Sequence, residues 1–239
     1  MSAIPAVLSY DPAFAYEVAT IVRDGLDRMY VRGEDVFYYL TLYNQDYWMP
    51  PMPAGCEEGI LRGLYRFRGA VQQAKHRAQL FGSGPILTEA LRAQELLAEK
   101  FDIAADVWSV TSYQRLRDDA LSCERWNRLH PGEPARVPYL TRTIESAPGP
   151  IVAATDYLRA VPDMVSRWIP RPYVTLGTDG FGRSDTRENL RRFFETDAEH
   201  IAAAALSALC QQGQVSAGVV TKAYQQLGLD PEAGDPWRR

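Results

Sequence analysis

Strand-like and helix-like segments alternate along most of this chain, and that order leaves few architectures open. After a short apolar run at residues 4–8, Asp11-Pro12 reads as a helix N-cap followed by proline at the first helical position. Phe14, Val18, Ile21, Val22 and Met29 then recur at helical spacing up to Gly33, and residues 36–42 are aromatic and β-branched, as a buried strand is. The series resumes with a strand at 77–81, a helix carrying Ile86, Leu87, Ala90, Leu91, Gln94, Leu97 and Ala98, and a strand at 106–110. It continues with a strand at 150–154, a helix through Tyr157, Val161, Val165 and Trp168, and a strand at 173–176. Such alternation predicts an α/β fold, a mostly parallel sheet flanked by helices on both faces.

One stretch interrupts the pattern. Pro50, Pro51, Pro53 and Gly55 prevent either a helix or a sheet ladder from running through residues 44–56, which are therefore expected to be a linker. Its Tyr47, Trp48, Met49 and Met52 predict that it packs against a surface. The C-terminal part is helical in pattern. Asp185 with Glu188 and Thr196 with Glu199 have capping-box spacing, ahead of one stripe with Leu190, Phe193 and Phe194 and another with Ile201, Ala205, Ala208 and Leu209. A last helix bearing Val220, Ala223, Tyr224 and Leu227 stops at Gly228, and residues 230–239 are expected to fray.

Charge narrows the function classes. The formal net charge is -4 with no Lys/Arg block, so nothing provides the cationic footprint of a nucleic-acid binder. Arg187, Arg191 and Arg192 alternate with Glu188 and Glu195, the pattern of a solvated helix face. No apolar run approaches the ~18 residues of a membrane span, and Met1-Ser2-Ala3-Ile4-Pro5 lacks the basic and apolar parts of a secretory signal; a cytoplasmic protein is expected. Cys56, Cys123 and Cys210 are odd in number and far apart, and read as reduced, mostly buried thiols.

Few motifs carry chemistry. Gly82-Ser83-Gly84 joins a predicted strand to a predicted helix, but Leu87 stands where a dinucleotide fingerprint needs its third glycine, which favours a tight βα turn. Residues 176–185 crowd three glycines and two acids before a capped helix. They fail the nucleophile-elbow, phosphate-loop and calcium-loop patterns, and predict a structured loop for packing or an interface. His76, His130 and His200 have no partner acid or ligand at a credible spacing; His130 is placed to cap the end of its helix, and His200 falls in the first turn of another. Trp48, Trp108, Trp126, Trp168 and Trp237 read as core or interface anchors.

Six separated blocks give a resemblance. Tyr47-Trp48-Met49-Pro50-Pro51-Met52-Pro53-Ala54-Gly55, Cys123-Glu124-Arg125-Trp126-Asn127, Leu129-His130-Pro131, Arg136-Val137-Pro138-Tyr139, Thr155-Asp156-Tyr157, and residues 176–185 with Arg187-Glu188-Asn189-Leu190-Arg191 behind them stand in this order. From about Ile4 to about Leu229 the chain resembles the C-terminal end of the homodimeric type of pyruvate dehydrogenase E1 component, in the transketolase superfamily. The resemblance implies an oxidoreductase using thiamine diphosphate and Mg²⁺, which decarboxylates pyruvate and reductively acetylates the lipoyl group of an E2 acetyltransferase. It implies residues 1–43 as the tail of a pyrimidine-binding domain and residues 57–229 as a transketolase C-terminal-like α/β domain. It also implies a cofactor held between two subunits, so that the upstream E1 domains, a second E1 subunit and E2 are the expected partners.

The cofactor-gripping part of the family lies upstream of these residues. The superfamily's diphosphate motif is Gly-Asp-Gly followed by Asn-Asn; Thr178-Asp179-Gly180 lacks the first glycine, and the chain has no Asn-Asn pair. No catalytic, cofactor-binding or metal-binding residue is therefore assigned, and the chain alone is expected to be inactive and to bind neither thiamine diphosphate nor Mg²⁺. Two readings stand: part of a working E1, split or truncated, that completes a dimer, or a non-catalytic interaction module left by a truncated gene. The first strand pair, parted from the rest of its sheet, is expected to leave an open edge and aromatic surface.

Overall fold

A computed structural model describes residues 4–238; the first three residues, on which the reading of the signal partly rests, and Arg239 lie outside the described part. The chain forms two sheets. The first pairs β1 (Val7–Tyr10) with β2 (Phe37–Leu40) in parallel, joined by α1 (Ala15–Leu26) and a π-helical turn at Asp27–Val31. The second contains β3 (Tyr65–Arg68), β4 (His76–Gly82), β5 (Ile103–Ser109), β6 (Ile151–Ala154) and β7 (Tyr173–Leu176) in the order β3-β5-β4-β6-β7. All its pairings are parallel except β3 on β5.

Both faces of the second sheet are covered, as the alternation predicts. Ala78, Leu80, Ile103, Ala105, Val107, Val152 and Ala154 point to one side, under α3 (Ile86–Phe101), α8 (Ala198–Gln211) and α9 (Ala217–Leu227). Phe81, Trp108, Ile151 and Ala153 point to the other, under α4 (Tyr113–Leu129) and α5 (Tyr139–Ile144). A strand buried on both faces loses the polar alternation of a surface strand, which is why these segments read as near-continuous apolar runs. α2 (Glu57–Arg62) follows the proline stretch and closes a third apolar cluster, in which Leu8, Tyr10 and Ile21 meet Cys56, Ile60 and Tyr65.

Several expectations are corrected. Asp11 does not cap a helix: the chain stays non-helical through Phe14, and α1 starts at Ala15, with the Glu17 carboxylate accepting from the Ala13 and Phe14 amides. The caps of α7 (Arg187–Phe193) and α8 fall one residue after the expected positions: Thr186 accepts from the Asn189 amide, and Asp197 from the His200 amide. The helix expected through Tyr157 to Trp168 is a four-residue α6 (Ala160–Asp163) and a 3-10 turn at Ser166–Trp168, because Pro162 brings no amide to its ladder. Arg191 is not on a solvated face: its guanidinium is buried against Glu89 at 3.0 Å and donates to Gln45 in the proline-side segment at 3.1 Å. Near the C-terminus, turns occur at 231–232 and 236–238, and Trp237 packs so closely on Gly180 (φ +98°) that an added Cβ there would sit 2.8 Å from the Trp237 backbone.

Candidate functional site

The strand order places a switch point between β4 and β6: the chain leaves β4 to one side for β5 and returns on the other side for β6. Ligands in open α/β sheets bind outside the carboxyl ends of strands at such a point. A cleft of about 380 Å³ lies there, bordered by Ser83 after β4, Val110 after β5 and Tyr157 after β6, with Tyr10, Asp11 and Thr41 from the first strand pair. Its size falls within the ordinary range of small-molecule sites.

Asp11 is the one carboxylate of this cleft. Its amide donates to the Thr111 carbonyl at 2.7 Å, its carbonyl accepts from Gly84 at 3.1 Å, and its Oδ1 accepts from Thr41 at 2.6 Å. Gly84 (φ +51°) is required here, because a Cβ on it would lie 2.9 Å from both Asp11 oxygens. Burial pushes the Asp11 carboxyl up to about 6; the hydroxyls of Thr41 and Ser83 hold it down in part, and Asp156 adds to the rise. The Gly82-Ser83-Gly84 turn is thus a tight βα turn packed on a carboxylate of the chain itself. Gly82 provides the close helix approach that Leu87 seemed to deny: a Cβ on Gly82 would come within 2.6 Å of the Leu87 backbone.

The first strand pair is fixed to the second sheet by side chains. Gln114, near the start of α4, mimics a neighbouring strand: its Oε1 accepts from the Ser9 amide at 2.7 Å and its Nε2 donates to the Val7 carbonyl at 2.9 Å, while Ser112 donates to the Ser9 carbonyl at 2.6 Å. The outer edge of β1 is closed in this way, whereas β2 has no strand on its outer side among the described residues. Phe37 and Tyr39 on β2 are exposed, matching the open edge and aromatic surface expected there, whereas Trp48 and Met49 of the linker, expected to pack, are 75% and 45% exposed. Replacing Gln114 with Ala strands two backbone groups, and a loss of about 2 kcal/mol is expected in urea denaturation; Gln114→Glu, which loses only the donor to Val7, should fall between the two.

The other singled-out residues lie apart from the cleft. Asp179 accepts from the Arg159 amide at 3.0 Å and from its guanidinium, and the Thr178 hydroxyl donates to the Asp156 carbonyl at 2.6 Å, so Thr178-Asp179-Gly180 offers no free oxygen set for an octahedral cation. These residues do not fit the diphosphate-bound Mg²⁺ that the resemblance implies. Among the described residues no group of three or more His, Cys, Asp and Glu side chains converges. His130 donates from Nδ1 to the Trp126 carbonyl at 2.8 Å, the expected helix cap. His200 meets Asp197 at 2.6 Å, and His76 reaches Gln214 at 3.4 Å. Cys56 is buried, with its thiol pushed up to about 11 by burial, and Cys123 and Cys210 are half-buried. Trp108 and Trp168 are core residues, and Trp126 stacks between His130 and Arg136.

Sequence reasoning missed Glu17. Its carboxylate, fully buried, accepts from the Ala13 and Phe14 amides, from the Tyr65 hydroxyl at 2.6 Å and from the Ser109 hydroxyl at 2.6 Å. It joins the first unit to β3 and β5. Burial raises its carboxyl, against the four hydrogen bonds that lower it.

Two stretches of the chain match known protein families. Residues 63–197 match the transketolase-like TK C-terminal domain, and residues 1–50 match the pyruvate dehydrogenase E1 component middle domain. Pyruvate dehydrogenase E1 components of Mycobacterium tuberculosis, Escherichia coli K12 and Pseudomonas aeruginosa are 48%, 46% and 45% identical to it over 234, 235 and 236 residues. The chain belongs to the pyruvate dehydrogenase E1 family. It corresponds to a C-terminal portion: the matches cover 97–98% of this chain but only 25–27% of those relatives. Among solved structures, a transketolase from Leishmania mexicana superposes with a TM-score of 0.56 at 16% identity, over 88% of this chain and 26% of that one. A split-gene transketolase, an inactive β4 tetramer, gives 0.52 at 18% identity, over 87% of this chain and 60% of that one. Both share the fold of this E1 portion. No described helix is long and apolar enough to cross a membrane.

Proposed function

We propose that this chain is the C-terminal part of a thiamine-diphosphate-dependent E1 that decarboxylates pyruvate and reductively acetylates lipoyl-E2, and that it acts only with the upstream E1 domains in a dimer. The observation that carries the reading is the extent of the match: nearly all of this chain aligns at 45–48% identity with only about a quarter of each E1 relative. In this reading residues 1–43 are the tail of the pyrimidine-binding domain, 44–56 the linker and 57–229 the C-terminal domain. The open side of β2 is where the upstream sheet continues, because a two-stranded parallel pair is too small to stand alone. The role of these residues is positional. Glu17, Gln114 and Asp11 set the first unit against the second sheet, and the Arg191–Glu89 pair fixes the segment leading into the prolines. Thiamine diphosphate, when bound by the complete enzyme, supplies the carbanion chemistry; no residue here is assigned to hold it. The split-gene transketolase, an inactive β4 tetramer, supports a division of labour of this kind.

The test mixes this chain with an E1 relative truncated to lack its last quarter, in the presence of thiamine diphosphate and Mg²⁺, and follows pyruvate-dependent reduction of a dye. Neither part alone is expected to turn over, the mixture is expected to do so, and titration of the chain alone with cofactor should give no saturable heat. Turnover by the chain alone overturns the assignment, as does an inactive mixture whose parts demonstrably co-purify. The second outcome would favour a non-catalytic interaction module.

A further inference from the structure

Three buried polar atoms without a hydrogen-bond partner belong to residues lining the switch-point cleft: Ser9 Oγ, Asp11 Oδ2 and Tyr113 Oη. Buried polar groups are nearly always satisfied, and leaving one unmade costs about 1–3 kcal/mol, so several around a single cleft mark a place where a ligand completes the bonding. The Tyr113 ring is only 5% exposed, and the Tyr173 hydroxyl lies beside its own.

Charge and shape decide the ligand class. Asp11 is the anion of the cleft, and Asp156 adds negative potential at it; Asp163 does the same at Tyr113. The cations felt nearby are Arg115 and Arg28, both at Tyr10, and neither is part of the lining. A ligand anion would face uncompensated repulsion, whereas a cationic donor meets Asp11 together with the rings of Tyr39 and Tyr157. The lining also includes the apolar Val110, Leu158, Val161 and Met164. We infer that this cleft binds a small organic ammonium ion, its nitrogen donating to Asp11 and its apolar body lying against Val110 and Met164. The inference does not depend on whether the chain completes an E1.

The experiment titrates the full chain with 2-phenylethylammonium, 2-phenylethanol and 3-phenylpropionate at pH 7.5, following amide chemical shifts and binding heat. The ammonium should saturate at least about tenfold more tightly than the isosteric alcohol, with shifts at Ser9, Asp11 and Gln114, and the carboxylate should be excluded. Asp11→Asn, which keeps an acceptor for Thr41, should erase the gap between ammonium and alcohol. Met164→Trp, which enlarges an apolar lining residue without touching Asp11, should weaken both. Equal binding of ammonium and alcohol overturns the inference, as does an unchanged gap in Asp11→Asn, a Met164→Trp variant that binds like the parent, or no saturable response to any probe.

Discussion

Replacing Glu17 with alanine should cost about 4 kcal/mol, a large part of the roughly 5–15 kcal/mol by which domains are stable. Its carboxylate is the common acceptor of four donors, two amides at the start of α1 and the hydroxyls of Tyr65 and Ser109. Alanine removes all four bonds, leaves the donors buried and opens a cavity, so several terms of the same sign combine. The Tyr16 hydroxyl, 2.7 Å from that of Tyr65, gives the stranded Tyr65 one remaining partner, which limits the loss at that side chain alone. Glu17→Gln has the same volume but sets an amide donor toward donors, and should cost about half as much. Because the donors come from both units, amide exchange should lose protection first in β1, α1 and β2, while β4, β5 and β6 keep theirs. A loss below about 1 kcal/mol in urea denaturation, or exchange that accelerates evenly across both sheets, would show that the carboxylate does not join them.

How much of this could be read from the sequence depends on whether the signal is local. The mostly parallel sheet was legible because β4, β5 and β6 are buried on both faces and carry dense apolar runs between helical stripes. β3 was not: Tyr65–Arg68 has four residues, two of them arginines, and its place on β5 is fixed by partners distant in sequence. The caps slid by one residue because Asp185-Thr186 and Thr196-Asp197 each present two adjacent residues able to cap, and local spacing does not choose between them. Arg191 looked solvated because its acid, Glu89, lies 102 positions away. Glu17 left a trace that could have been followed. It sits three residues after Phe14 and four before Ile21, on the apolar stripe itself, where a carboxylate needs buried donors. The cleft left none, since Asp11, Thr41, Ser83, Tyr113 and Tyr157 come from separate turns that only the topology brings together.

Asp11 also makes stability depend on pH, with a sign opposite to that of an ordinary ion-paired aspartate. Its carboxyl is raised from 3.8 to about 6 in the folded chain, so the folded state holds a proton that the unfolded state has already released. Below about pH 4 the group is protonated in both states and contributes nothing to the difference. Stability is then lost as pH rises through the interval from about 4 to about 6, and the loss is constant above it, on the order of 3 kcal/mol for a displacement of this size. Other carboxyls shift as well, Asp156 upward and Asp197 downward, so the parent curve alone does not isolate this term. Comparison with Asp11→Asn does: the variant cannot ionise there, and between pH 4 and pH 7 its stability should gain on the parent's by that same order. Its fixed cost, an amide placed where Oδ2 had no partner, shifts the whole curve without changing the pH dependence. Urea midpoints at half-unit steps of pH measure the difference. Curves that run parallel from pH 4 to 7 would show that the Asp11 carboxyl ionises as readily in the folded chain as in the unfolded one. The same desolvated carboxylate is what an ammonium ion would recover on entering the cleft, so the parent's deficit above pH 6 should shrink when 2-phenylethylammonium is present, and that of the variant should not change.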